Sequence, residues 1–435
     1  MRHIYKHARI KPITVSQLKI TSILLILFSI LSCNNRIDEI SKFHRSMPYP
    51  QSDLIMSFKW TSKPYRYPGT GSDMHWWTWG LDDAIYVLDD DGKNFDGPIN
   101  YAHVLKVSGI PPNHKVETVT DFTEIPFRKM MPVDQMLSRY VDGIIAIDST
   151  LYVSIYDYDW NLKRTIPYFD SIRPRLNFYD AFLGVKDSLM LKSMWFAGSY
   201  SKNYGIAGII KSNDYGKTWA NVPHAATPRF LGNKFAGLTF INFDKGYSDV
   251  PDALYPYVYA MSNDGSWETG DNIFMARVHK DSILNRKAWQ FLSSLDKNIP
   301  SWSKSEDKCY SIFKDSGHVG HPTISYNKSL KRYILGMYSD VVPHTEDADT
   351  KTWSKWDKES ELQLYESEFP WGPWKIFYNE KPWGGSKHTC YLPQIPNKWW
   401  SNDGLSGTVM FAGDYVGKNY EYYGMMTQSF KITLK

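Results

Sequence analysis

Cysteine is scarce in this chain, with three residues among 435. That scarcity excludes a small fold stapled by disulfides, and neither Cys309 nor Cys390 sits in a paired Cys-x-x-Cys or His-x-x-x-His spacing, which argues against a structural zinc site. Long apolar runs are missing too. The apolar stretch Ile20 to Leu31 is about a dozen residues, short of the roughly 20 that a helix needs to cross a bilayer. Sustained apolar spacing at the helical period is nearly absent, which argues against a bundle of amphipathic helices. No Ser/Gly/Pro-rich linker interrupts the interior, so the chain after its N-terminal segments reads as one large domain.

The N-terminus carries Arg2, Lys6, Arg9, Lys11 and Lys19 with no acidic residue, then the apolar run, then Ser32-Cys33. This is the layout of a signal peptide. Its end, Ile30-Leu31-Ser32-Cys33, resembles the lipobox of bacterial lipoproteins, which makes Cys33 the expected lipidation site. The expected layout is a signal peptide over 1–32, a polar tether over 33–51 closed by Pro48-Tyr49-Pro50, and a domain over 52–435. Export also alters the charge. The full chain has 50 basic and 46 acidic residues, and loss of the five basic residues of the signal leaves 45 against 46. A nearly neutral protein implies no nucleic-acid partner. The expected location is the bacterial outer membrane or cell surface, with a lipid anchor as the sole membrane contact and a monomer as the unit. There, Cys309 and Cys390 are open either to pairing or to remaining buried thiols, because sequence separation does not give the distance between their Cα atoms.

What the chain has in abundance is aromatic residues, 17 Trp, 30 Tyr and 21 Phe. Short runs rich in Val, Ile, Tyr, Phe and Trp alternate with Asp/Asn/Gly/Lys turns, as in Leu54 to Trp60, Ala84 to Leu88, Ala102 to Val107, Gly143 to Ile147, Leu151 to Ile155, Leu189 to Phe196, Leu238 to Phe243, Thr323 to Asn327 and Gln428 to Leu434. Many short strands and few helices mean an all-β sandwich, barrel or propeller. Three observations favour a β-propeller. Ser212-Asn213-Asp214-Tyr215-Gly216-Lys217-Thr218-Trp219 matches the Asp-box hairpin turn of sialidase-like and furanosidase-like blades. In it Asp214 accepts backbone N–H bonds, Gly216 supplies a permissive backbone and Trp219 packs back on the blade. A loose strand–turn–strand phrase recurs at Trp79 to Asp91, Ile145 to Tyr158, Tyr257 to Val278 and Pro322 to Tyr338. Finally, the first and last strand-like segments, Leu54 to Trp60 and Gln428 to Leu434, are placed to share a blade and close the ring. Five blades are expected, with six as the alternative.

The densest cluster of unusual residues runs from Gly71 to Gly92, where Trp76, Trp77 and Trp79 stand among Asp73, Asp82, Asp83, Asp89, Asp90 and Asp91. Sugars stack their C–H faces on indole while their hydroxyls bond to fixed carboxylates, so this composition suits a glycan site at a propeller mouth. The segment resembles the DUF4185-type family of β-propellers, glycoside hydrolases that act as endo-D-arabinanases. Asp73, Trp77, Thr78, Trp79, Asp83, Tyr86 and the Asp91-Gly92 pair fall on the family's pattern. Ala84 replaces its usual glycine, Asp90 stands where a glycine is common, and His75-Trp76 adds bulk. Weaker likeness extends through Tyr257 to Val278, His321 to Leu335 and Phe369 to Trp374.

The resemblance implies hydrolysis between two carboxyls, one donating a proton to the leaving oxygen and the other acting as nucleophile or activating water. Asp73 and Asp91 are the expected catalytic pair, with Asp83 a turn residue and Asp89 and Asp90 turned away from the pocket. Substrate contacts are expected from Trp77, Trp79, Asp157, Asp159, Glu268 and His321, and Trp399-Trp400 reads equally as a platform or as blade packing. No cofactor is required. Calcium is left open by the acidic run Asp89 to Asn94, which lacks the alternating ligands of an EF-hand.

The favoured function is therefore cleavage of a furanose-rich polysaccharide, D-arabinan first. A non-catalytic surface lipoprotein that captures glycan would use the same Trp/Asp face. A sialidase needs an arginine cluster, and the expected Arg-Ile-Pro near the first blade is missing.

Overall fold

The computed structural model describes residues 46–67, 70–94, 100–121, 137–159, 206–223, 229–235, 237–264, 270–341, 359–384, 390–413 and 423–435. Cys33, Glu268 and the expected strand Leu189 to Phe196 lie outside these residues.

The strands β1 (Ile55–Trp60) and β2 (Tyr65–Arg66) come first in the chain, and both pair with its last strand. Blade 1 follows as a four-stranded antiparallel sheet of β3 (Thr70–Trp79), β4 (Ile85–Asn94), β5 (Asn100–Ile110) and β6 (Asn113–Asp121). Blade 2 contains β7 (Leu137–Ile147), β8 (Thr150–Asp159) and β9 (Ile206–Ser212). In blade 3, β10 (Thr239–Phe240), β11 (Tyr257–Asn263), β12 (Gly270–His279), β13 (Gln290–Asp296) and β14 (Ile299–Ser303) lie in order, and β15 (Ser311–Val319) also pairs with β12. Blade 4 is β16 (Thr323–Asn327), β17 (Arg332–Val341), β18 (Glu359–Ser367) and β19 (Lys375–Glu380). Blade 5 is β20 (Tyr391–Gln394), β21 (Ser406–Gly413) and β22 (Gly424–Leu434), with β1 as its outermost strand. The molecule is an all-β, five-bladed propeller, and among the described residues the only helical turns are short 3-10 segments.

Ring closure follows from the sequence at the two ends. β1 pairs antiparallel with β22, Phe58 facing Ile432 and Trp60 facing Phe430. The Phe58 ring stacks on Phe430 at 4.9 Å and meets Tyr378 at 4.3 Å, which ties blade 5 to blade 4. Closing the sheet series on itself removes the open edges that a row of blades would otherwise expose. One apolar core, with Trp76, Leu88, Ile144, Val153, Ile334, Leu364, Val409 and Phe411 among its members, runs between the blades.

Close approach of the inner strands sets the rest. Gly143 donates its N–H to Leu238 O at 3.0 Å, and a Cβ at this position would lie 2.6 Å from Thr239 Cα. Glycine therefore lets blades 2 and 3 touch at the backbone. The turn after β9 is built as its residues imply. Ser212 Oγ donates to Asp214 Oδ1 at 2.7 Å, Thr218 N to the same oxygen at 2.9 Å, and Thr218 Oγ1 to Asp214 Oδ2 at 2.6 Å.

Several expectations change. The run from Gly71 to Trp79 is an inner strand, and the acidic run Asp89 to Asn94 is the end of strand β4. The expected strand Leu238 to Phe243 shortens to two residues in β10. Cys309 and Cys390 are not joined to each other by a disulfide, so the pairing alternative falls.

Candidate functional site

In each blade the inner strand starts, and the second strand ends, at the same end of the ring. Asp73 faces Asp90, Leu137 faces Asp159, and Tyr391 faces Ala412. This end is the mouth. It collects the backbone of Asp73, Asp91, Asp157 and Asp159, together with His321 just before β16. The side chains of Asp91, Asp157 and Asp159 lie outside the described residues.

Asp73 is partly buried on β3, and the Tyr391 hydroxyl of β20 donates to its Oδ2 at 2.8 Å. Behind it, Ser72 Oγ donates to Asp89 Oδ2 at 2.6 Å, His103 Nδ1 lies 2.9 Å from Asp89 Oδ1, and His75 Nε2 lies 3.5 Å from Ser72 Oγ. All four of these residues are buried. Burial pushes the His75 imidazole down to about 4, against a smaller opposing pull from Asp89. His75 is therefore neutral at pH 7, and Asp89 is consumed by Ser72 and His103 rather than offered to solvent.

The second constellation is new to the structure. β7 slips one residue in register between Val141 and Ile144, a bulge that contains Asp142 and Gly143. Asp142 Oδ1 lies 3.4 Å from His321 Nδ1, with both side chains wholly buried. The pair joins blades 2 and 4 over the two-residue strand of blade 3. The Trp76 indole of blade 1 lies 6.1 Å from the imidazole of His321, tilted by 37°. Tyr338 of blade 4 meets Tyr391 of blade 5 at 6.0 Å between ring centroids. Trp76, Ile144, Thr239, Asn242 and Gln394, among others, line a narrow gap between the inner strands. A third carboxylic acid, Asp264, ends β11 at the same mouth. Burial raises its pKa, opposed by the Asn272 amide and the Asp271 N–H, which bond to its two oxygens at 3.0 and 2.9 Å.

Two expected substrate contacts are corrected. Trp77 is 5% exposed and packed among Ile85, Val87, Met410 and Met425, so no face of its indole is open to a sugar. Trp79 stands at the opposite end of β3 from the mouth. There its Nε1 donates to Asp83 Oδ1 at 3.1 Å and Lys398 Nζ lies over its ring at 5.8 Å. Asp83, at φ 70° and exposed, is the turn residue expected of it. His321 is at the axis, but it is sealed and faces Asp142. Trp399 is buried and Trp400 meets Phe430 edge-on at 5.1 Å, which is blade packing. Among the described residues, no group of three His, Cys, Asp or Glu side chains is arranged to hold a metal ion.

Sequence reasoning missed Asp142, Tyr391 and Gln394. Asp142 stands before a glycine and reads as a turn former. Tyr391 and Gln394 flank Pro393, which disguises an inner strand.

Comparison with known proteins adds the following. Residues 187–373 match the family described as a domain of unknown function, DUF4185. The match spans β9 to β18 and takes in Tyr257 to Val278 and His321 to Leu335, whereas Gly71 to Gly92 lies outside it. No curated protein matches. Among solved structures, a Bacteroides ovatus protein shares 11% identity over 89% of this chain and 97% of its own, with a TM-score of 0.47. An α-L-arabinofuranosidase of Podospora anserina, in complex with cellotriose, shares 10% identity over 88% of this chain and 99% of its own, at 0.40. The GH43_1 enzyme of Xanthomonas citri, complexed with xylose, shares 12% identity over 86% and 90%, at 0.41. Residues 187–373 are thus similar to the DUF4185 family, within a five-bladed propeller.

Proposed function

We propose that the protein is a glycoside hydrolase acting on a furanose-rich polysaccharide, with D-arabinan the favoured substrate and the axial mouth its site. The observation that carries this reading is the setting of Asp73, a partly buried carboxylate at the mouth end of the first inner strand, held by the Tyr391 hydroxyl at 2.8 Å. A hydroxyl donating to one oxygen fixes the orientation of the carboxylate. Asp73 acts as nucleophile or activates water, and Asp91 on the neighbouring strand protonates the leaving oxygen. Asp157, Asp159 and Glu268 supply hydroxyl contacts around the bound chain. The polypeptide is exported and held at the cell surface by a lipid on Cys33, with 1–32 as its signal, 33–51 as its tether and the turn from Ser212 to Trp219 as an Asp-box.

Purified protein incubated with arabinans and other plant or bacterial polysaccharides should release oligosaccharides. Asp73→Asn should lose turnover by orders of magnitude while still binding the glycan. Binding without any turnover in the native protein would instead assign it as a surface glycan-capture lipoprotein.

A further inference from the structure

The strand that carries Asp73 is not regular. Gly71 faces Lys93, Asp73 faces Asp90 and Trp76 faces Leu88, so the ladder with β4 slips on both sides of Asp73. Met74 and His75 take up the slip at φ 68° and 41°, the left-handed region that side chains other than Gly, Asn and Asp rarely enter. Two such residues in succession persist only where the surroundings hold them.

The holding comes from β20 of the adjacent blade. Gln394, 4% exposed, donates its Nε2 to His75 O at 2.6 Å and lies 3.4 Å from Met74 O. Three residues earlier on the same strand, Tyr391 binds the Asp73 carboxylate. In a regular strand, residues three apart point to opposite faces. Here β20 is itself irregular, with a register shift between Tyr391 and Gln394 and Leu392 at φ 53°, and both side chains reach β3.

We infer that Gln394 is a positioning residue whose amide locks the Met74–His75 bulge and so aims Asp73 into the mouth, where Tyr391 docks it. A bulge of this kind re-aims one side chain without moving the rest of the sheet. The inference rests on the reading of Asp73 as a catalytic carboxylate, yet its structural half stands apart from activity.

Gln394→Met keeps the side-chain volume and removes the donor. A crystal structure of this variant should show residues 74 and 75 relaxed from positive φ and the bond between Tyr391 and Asp73 lost. Turnover of the best glycan should fall at least tenfold with KM changed less than twofold. In an Asp73→Asn background the same substitution should leave the residual rate unchanged, which a merely structural defect would not do. Tyr391→Phe, which leaves the backbone untouched, should also lower turnover at constant KM and serves if Gln394→Met does not fold. An intact bulge and an intact Asp73–Tyr391 bond in Gln394→Met overturn the inference, whether or not the native protein is a hydrolase. Full turnover in Gln394→Met or Tyr391→Phe overturns it as well. A native protein that releases no product from any glycan, with the bulge lost in Gln394→Met, removes the hydrolase reading and leaves the lock standing.

Discussion

Asp142 and His321 meet across the axis of the ring, carboxylate Oδ1 to imidazole Nδ1 at 3.4 Å, with neither side chain exposed. The pair bridges two blades that are not neighbours and forms the polar floor of the mouth. A carboxylate and an imidazole removed from water favour each other's company, since burial of either charge is costly. Asp142→Asn or His321→Ala should therefore cost about 3–5 kcal/mol. The double variant should cost clearly less than the sum, because the two side chains are in contact. Urea unfolding of the four proteins measures this, and strict additivity would show that the two side chains do not interact.

His75 gives a pH dependence of definite sign. Its folded-state pKa is about 4, below the ordinary 6.5, because burial disfavours the imidazolium. Between these values the unfolded chain takes up a proton that the folded chain refuses. Stability should therefore be intact above pH 6.5 and fall as the pH drops towards 4, by on the order of 3 kcal/mol for this one group. His75→Gln should flatten the slope of the urea midpoint between pH 7 and pH 4.5. An unchanged slope would assign the acid sensitivity to other groups.

Gly143→Ala tests the contact between blades 2 and 3. The new methyl group would lie 2.6 Å from Thr239 Cα and 2.8 Å from Leu238 O, both backbone atoms that have no rotamer to escape into. A loss of about 1–3 kcal/mol is expected from overpacking. A melting temperature equal to that of the native protein would mean that the inner strands are not in fixed contact there.

Asp214 anchors its turn far from the mouth. Slight burial raises its pKa, but the Thr218 hydroxyl and N–H and the Ser212 hydroxyl outweigh that and bring it down to about 2. Its contribution is present above pH 4 and lost as the pH falls through 2. Asp214→Ala should cost roughly 1–2 kcal/mol for the lost turn bonds and leave glycan turnover unchanged. A fall in turnover without a fall in stability would tie the turn to the site.

The fold was legible where local chemistry dictates it. The β1–β22 closure follows from two apolar, alternating segments at the ends of the domain, and the turn after β9 follows from Ser212, Asp214, Gly216 and Thr218, whose bonds are all local. Asp73 stands out in the sequence because an aspartate among tryptophans is unusual, and its catalytic role is a proposal. The rest of the site depends on long-range irregularity. Asp142 acquires its meaning from a bulge and from His321, 179 positions away by residue number, and Gln394 from carbonyls in another blade. Trp77 and Trp79 misled because indole composition suits a sugar platform and a blade core equally. Only the register of β3 shows that one is packed in the core and the other stands at the far end.

The most direct test of a glycan-cleaving mouth is a crystal structure of Asp73→Asn soaked with an arabino-oligosaccharide. A furanose linkage oxygen within hydrogen-bond distance of residue 73, above the Asp142–His321 floor, is the expected result. An oligosaccharide bound elsewhere on the ring, with the mouth left empty, would contradict it.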